Sequence, residues 1–240
     1  MIPKNIFQIY HDKKLVPELI TDRIKTLNPT YSYNIFDFDE GKDLILKEFD
    51  GIDPNIICQT IDKLPRLCHK SDLMRYCLLY LRGGFYLDVD LEVLLPFKEL
   101  SFMGDFITSF GRGAEGFSCT FRNGQTKTVE KIMANGIIAA KRKSPILLEL
   151  IRFCVNNPAD DNPHNRGLYI KFLYQYLYSK STDGIGPFEK LKIKDEIVYL
   201  FDTIDNERYG INCIFDLNKG VIINPNNKNY QIPRQTSSFI

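Results

Sequence analysis

Read for its alternation of apolar and polar residues, the chain opens on a strand. Ile2 to Tyr10 is nearly continuous in apolar positions, the pattern of a strand buried on both faces and therefore central in its sheet. Pro17 to Leu27 returns apolar residues at helical spacing, and Asn28-Pro29 closes that helix. Tyr33 to Phe38 reads as a second strand and Gly41 to Phe49 as a second helix. A β-α-β opening predicts a parallel sheet with helices on its faces. Asp50 to Leu67 reads as a connection with a short helix around Ile56 to Ile61.

The most informative stretch runs from Lys70 to Leu91. Ser71 is a plausible N-cap, Asp72 puts negative charge in the first turn, and Leu73, Cys77, Leu78 and Leu81 recur at helical spacing. Gly83-Gly84 ends the helix, and Phe85 to Leu91 alternates as a strand does. Strict alternation would set Asp88 and Asp90 on one face, their Cα atoms roughly 7 Å apart, with Leu87, Val89 and Leu91 turned into the core. Two carboxylates held that close repel unless a cation sits beside them. Hard divalent ions, Mg²⁺ or Mn²⁺, take oxygen ligands and leave positions open for phosphates. Asp37-Phe38-Asp39 has the same spacing without the helix and paired glycines before it, and reads as a solvated strand end.

Further along, Asp105 to Phe110 reads as a strand, followed by a glycine-rich run from Gly111 to Gly116 that is either a turn or a phosphate-cradling lid. Asn135-Gly136 is compatible with a turn. Lys141-Arg142-Lys143 is a compact basic cluster, to be weighed against an ordinary solvated loop. Pro145 to Val155 and Arg166 to Ser179 read as apolar helices, and the stripe Tyr169, Phe172, Leu173, Tyr176 and Leu177 has core spacing. Lys192 to Phe201 and Gly220 to Ile223 read as late strands, and Tyr230 to Ile240 as a mobile polar tail. His69 receives no role.

Composition narrows the picture. A length of 240 residues and a hydrophobic share of 44% suit a single globular domain. A net charge of +1 gives no field that favours nucleic acid or an anionic membrane. The six cysteines form no Cys-x-x-Cys pair, so reduced and mostly buried thiols are expected. No leader or membrane-spanning segment is visible, and the expectation is a soluble cytoplasmic protein of bacterial or viral type. No Gly-x-Gly-x-x-Gly follows the first strand, which argues against a dinucleotide fold.

Ser71-Asp72-x-x-Arg75-Tyr76, then Gly83-Gly84, then Tyr86-x-Asp88-x-Asp90 resembles the signature of the family-32 DXD-containing glycosyltransferases, the family of the yeast initiating α-1,6-mannosyltransferases. A wider similarity extends to the glucosyltransferase domains of the large clostridial toxins. Ile2-Pro3-Lys4-x-Ile6-x-Gln8 resembles the family's opening strand, and Asn135 to Pro145 its second segment. Gly184-Ile185-Gly186-Pro187 resembles its acceptor-side element, whereas Ser237-Ser238-Phe239 lacks the histidine and tryptophan of its closing segment.

That resemblance implies a GT-A type α/β fold in a single domain, residues 1–240, with a mostly parallel sheet flanked by helices. Residues 1–100 would form a Rossmann-like nucleotide-sugar and metal half, and residues 101–240 the acceptor half. It implies that Asp72 and Arg75 hold the donor sugar, that Asp88 contacts ribose and sugar, and that Asp90, with Asp88, ligates Mn²⁺ or Mg²⁺. Gln8 and Ile9 at the strand end, Tyr86 in the motif and Asn135 through its amide become donor-site candidates. The implied reaction moves a hexose or N-acetylhexosamine from a UDP- or GDP-linked donor to a glycan or other hydroxyl acceptor. No nucleophile pair stands out, which favours retaining transfer in which the leaving phosphate assists. The alternatives are a non-catalytic glycan- or nucleotide-sugar-binding protein of the same fold, and a sugar nucleotidyltransferase.

Overall fold

The computed structural model describes residues 1–112, 118–128, 131–161, 167–181, 186–208, 210–216 and 218–225. The first half runs β1 (Asn5–Ile9), α1 (Glu18–Leu27), β2 (Ser32–Phe36), α2 (Phe38–Glu48), α3 (Pro54–Lys63), α4 (Leu67–Arg82) and β3 (Gly84–Leu87). Then come β4 (Glu92–Val93), β5 (Phe106–Arg112), β6 (Ser118–Thr120), β7 (Thr126–Thr128), β8 (Lys131–Ala140), α5 (Pro145–Asn156) and α6 (Leu168–Tyr178). Strands β9 (Lys190–Ile193), β10 (Glu196–Asn206), β11 (Gly210–Asp216) and β12 (Gly220–Asn224) complete the described elements.

Strand order in the main sheet is β2-β1-β3-β8-β5-β10-β11-β12-β4, with β9 on β10 and β6-β7 as a separate hairpin. The expected α/β sheet with helices on its faces is present. From β2 to β10, five of six strands run one way, and β8 alone is reversed between β3 and β5. β1 is interior, as its apolar run predicts. Beyond β10 the pairing becomes antiparallel.

Period-two alternation divides the core between the two faces of the sheet. Phe7, Ile9, Tyr86 and Ile138 join the larger cluster with residues of α2 to α6, whereas Ile6, Phe85, Leu87 and Ile137 join the smaller one with α1. Helix α4 is encased, with every residue from Leu73 to Leu81 buried. All six cysteines are unbridged and five are buried.

Local chemistry explains several boundaries. Asp37 is the N-cap of α2, in a capping box with Glu40, so Asp37-Phe38-Asp39 is a helix start and not the strand end expected. Asp53 caps α3 with Pro54 just inside it, extending the short helix foreseen there. Helix α4 begins at Leu67, four residues before Ser71, which is therefore inside the helix and not its cap. The predicted strand from Lys192 to Phe201 is two strands, because the chain reverses at Lys194, whose φ of 53° is left-handed.

The turn from α4 into β3 permits only glycine. Gly83 and Gly84 have φ of 61° and 115°, and a Cβ on Gly84 would stand 2.4 Å from the Asn5 carbonyl oxygen. Gly124, with φ of 82°, has nothing within 4 Å of such a Cβ and isolates the strain of the conformation alone. Gly84→Ala is expected to destabilise by at least ~2 kcal/mol and Gly124→Ala by ~1 kcal/mol. Urea midpoints at unchanged slope measure both, and equal losses would show that the approach of β1 to Gly84 carries no weight.

Candidate active site at the end of β3

Three segments converge where β3 ends. Tyr86 and Asp88 lie two residues apart and share the sheet face covered by α4. The Tyr86 hydroxyl donates to Asp88 Oδ1 at 2.6 Å. Asp72 and Arg75, one turn apart on α4, pair through Nη2 and Oδ1 at 3.1 Å. Arg75 Nη1 reaches Asp88 Oδ1 at 3.0 Å and donates to the Asn135 carbonyl at 2.6 Å. Its Nε donates to the Ser71 carbonyl at 3.2 Å, and the guanidinium lies 4.3 Å from the Tyr86 ring centroid. The third segment, β8, brings the Asn135 amide, which donates to Asp72 Oδ1 at 2.7 Å and to the Tyr76 hydroxyl oxygen at 3.2 Å.

The result is a buried cation between two acids. Arg75's side chain is 5% exposed and Asp72's 13%, while Asp88's is 36% exposed. Burial works against the Arg75 charge, but Asp88, Tyr86 and Asp72 outweigh it and raise its pKa. Burial drives the Asp72 carboxyl up to about 6, helped by the nearby Asp88 charge and opposed by Arg75 and Asn135. Burial likewise holds the Tyr76 and Tyr86 hydroxyls far above their usual range.

Asp72 and Asp88 share one feature: within the described residues each gives Oδ1 to the protein, and neither Oδ2 has a hydrogen bond there. A Cβ on Gly136 would come within 3.0 Å of Asp88 Oδ2, so glycine keeps that oxygen uncrowded.

The strand containing both acids ends sooner than alternation predicts. β3 stops at Leu87, and Leu91 N–H bonds back to the Asp88 carbonyl at 3.3 Å, so Asp90 stands in a turn. Asp88 and Asp90 therefore do not share a strand face. Val89 and Leu91 are buried as expected. Asp90 lies near the end of β1, where its charge joins burial in raising the Tyr10 pKa.

Gln8 is wholly buried and both ends of its amide are occupied. Its Nε2 donates to the Asp88 carbonyl at 3.2 Å and its Oε1 accepts from the Tyr33 hydroxyl. It helps to hold Asp88 in place. Ile9 is a core side chain, so it offers a ligand only backbone. Asn135 is not in a turn but inside β8, beside an irregularity in the pairing with β5. Tyr10, Tyr33, Tyr76 and Gly136 adjoin the site without having been given a role there. Tyr76 and Gly136 had a signal in the motif segments that contain them, and Tyr10 in its place directly after the first strand.

Other expected features lie elsewhere. Lys141 donates to the Asp195 carbonyl at 2.9 Å and Lys143 pairs with Asp50, so the basic cluster is tied down locally. Gly113 to Gly116, Gly184-Ile185 and the tail from Tyr230 lie outside the described residues.

Among the described residues there is no group of three or more His, Cys, Asp or Glu side chains able to cage a metal. Magnesium-like ions do not need one, since one or two carboxylates plus water and phosphate oxygens complete their shell. Asp88, with one oxygen uncommitted, and Asp90 in the adjoining turn fit an ion shared with a diphosphate.

Residues 17–106 match the family described as "Glycosyltransferase sugar-binding region containing DXD motif". The "Initiation-specific alpha-1,6-mannosyltransferase" of Schizosaccharomyces pombe is 31% identical over 101 residues, covering 42% of this chain and 25% of the relative. The protein of that name from Candida albicans is 30% identical over 103 residues, covering 40% and 26%. The matched stretch thus spans about a quarter of each relative's length. Among solved structures, a chain titled "PaToxG Glycosyltransferase" aligns over 73% of this chain and 70% of its own, with a TM-score of 0.37 and 16% identity. Similarity of that degree carries no argument about chemistry. No helix among the described residues is long and apolar enough to cross a membrane.

The Asp72 titration sets a stability profile. Its folded pKa of about 6 lies above the unfolded carboxyl value, so the folded state holds the extra proton between them. That contribution is complete below pH ~4 and is lost as pH rises through ~6, about 3 kcal/mol in all. Asp72→Asn is expected to flatten stability between pH ~4 and ~6. Denaturant titrations in EDTA across that range measure it, and an unchanged slope refutes it.

Proposed function

We propose that this chain, whose residues 17–106 match the DXD-containing sugar-binding glycosyltransferase family, transfers a hexose or N-acetylhexosamine from a nucleoside-diphosphate sugar to a glycan or other hydroxyl acceptor. The observation that carries the reading is the arrangement around Arg75, which fixes two acids with one oxygen of each left for a ligand. In this reading the sheet is of GT-A type, residues 1–100 bind donor and metal, and residues 101–240 form the acceptor side.

Transfer breaks the bond between sugar C1 and a diphosphate, so negative charge grows on the leaving group and positive charge on the ring. Asp88 and Asp90 would hold Mg²⁺ or Mn²⁺, which when bound neutralises the diphosphate as a Lewis acid. Asp72 Oδ2 and Asp88 Oδ2 accept hydrogen bonds from sugar or ribose hydroxyls, most strongly as carboxylates. Arg75 acts from behind. Its donors go to Ser71, Asn135, Asp72 and Asp88, so it keeps the acids charged and aimed and is a positioning residue. Tyr86 fixes the Asp88 rotamer, Gln8 and Gly136 fix its backbone, and Asn135 fixes Asp72. With no second acid beside Asp72 placed as a nucleophile, the favoured course is retaining transfer on one face of the sugar, the departing phosphate taking the acceptor's proton.

The reading is tested by incubating the chain with Mn²⁺ and UDP-glucose, UDP-galactose, UDP-N-acetylglucosamine or GDP-mannose. Free sugar and nucleoside diphosphate are expected from one of them, with release at least ~100-fold slower in Asp90→Asn. Arg75→Lys should bind donor more weakly than wild type, because an ammonium cannot span both carboxylates. Donor binding without release points to a binding protein, and pyrophosphate-dependent breakdown to nucleotidyl transfer.

A further inference from the structure

A hollow of about 410 Å³ is lined by Arg122, Ser179, Lys180, Lys192, Ile193 and Lys194. Its walls come from the turn between β6 and β7, the end of α6, and the β9–β10 hairpin. Four of these six residues are cationic, although the whole chain carries a net charge of only +1. Lys194 has a shared partner: its Nζ lies 3.5 Å from Glu149 Oε1, which Arg152 also engages at 3.3 Å. Among the described residues no carboxylate comes within ion-pair distance of Arg122, Lys180 or Lys192. Beside them, Lys180 Nζ stands 5.3 Å from the Tyr176 ring centroid, and the Tyr176 hydroxyl is buried next to Lys194.

Register separates this hollow from the acids. Gly84 at the start of β3 pairs with Ala140, Ala140 with Phe106, and Phe106 with Val198 near the start of β10. The Lys194 turn is therefore at the end of the sheet where β3 begins, and Asp88 is at the end where it finishes.

Four converging cations repel one another and gain from an anion that joins them. The volume falls within the ~300–1,000 Å³ of small-molecule sites and exceeds what one anion fills. Ile193 adds an apolar wall. We propose that the hollow is a second, anion-binding site, taking a ligand that presents at least two phosphate or carboxylate groups. It does not rest on the donor reading above, and failure of every transfer assay leaves it standing.

Two sources share that chemistry, a free polyphosphate and an acidic polysaccharide. Calorimetric titration of the full chain in low salt and EDTA, with inorganic tripolyphosphate and separately with hexagalacturonate, distinguishes them. At least one is expected to bind, more weakly as salt rises. Lys180→Gln/Lys192→Gln should weaken it by about tenfold or more, and Lys180→Arg/Lys192→Arg should retain it, which separates charge from folding. Asp90→Asn should leave it unchanged. The proposal is overturned if neither probe binds, if binding survives the glutamine pair, if the arginine pair loses it, or if Asp90→Asn abolishes it.

Discussion

Burying one guanidinium is the constraint around which the site is built. A cation with a 5% exposed side chain is tolerable only when nearly all its donors find acceptors and its charge is met by anions. Arg75 meets that demand from its own helix turn through Ser71 and Asp72, from the end of β3 through Asp88, and from β8 through the Asn135 carbonyl. Each contact ties a different segment to α4, so charge satisfaction and tertiary structure are one requirement. Any displacement of β3 or β8 would strand a buried charge.

The sheet supplies the geometry for this. If β8 ran in the same direction as its neighbours, Asn135 and Gly136 could not reach the end of β3 by antiparallel pairing. As it is, Leu87 pairs with Ile137 and the Asp88 N–H bonds to the Gly136 carbonyl at 2.8 Å. Gly83 and Gly84 complete the arrangement at the other end of β3, letting the chain leave α4 and enter the sheet directly against β1. A short strand between two fixed ends leaves Asp88 little freedom.

Much of this was legible in the sequence, for identifiable reasons. Strong local signals gave β1, α1, α4 and the paired glycines, since apolar period and special φ values are written residue by residue. Asp72, Arg75, Asp88 and Asn135 were named, and the fold brings those four together. What was not legible depended on tertiary pairing. Nothing local says that β3 stops at Leu87, because Val89 and Leu91 are buried in a turn as they would be in a strand. Gln8 reads as a ligand-binding amide until Tyr33 and Asp88 are seen to occupy it. Asn135-Gly136 favours a turn by composition, and its partners on β3 and α4 override that preference. Spacing shows which face Arg75 occupies and not how deep it lies.

A net charge of +1 conceals a division along the strands. At the end where β3 stops, Asp72 and Asp88 bracket a single buried cation. At the end where β3 begins, lysines and Arg122 line a hollow in which, among the described residues, Glu149 pairs with Lys194. The pattern of Asp72 argues the point within one residue, since burial pushes its carboxyl towards the neutral form while Arg75 draws it back. A fold selected for stability alone would place an amide there. Asp72 nevertheless stands there as an acid, with no hydrogen bond to its second oxygen among the described residues.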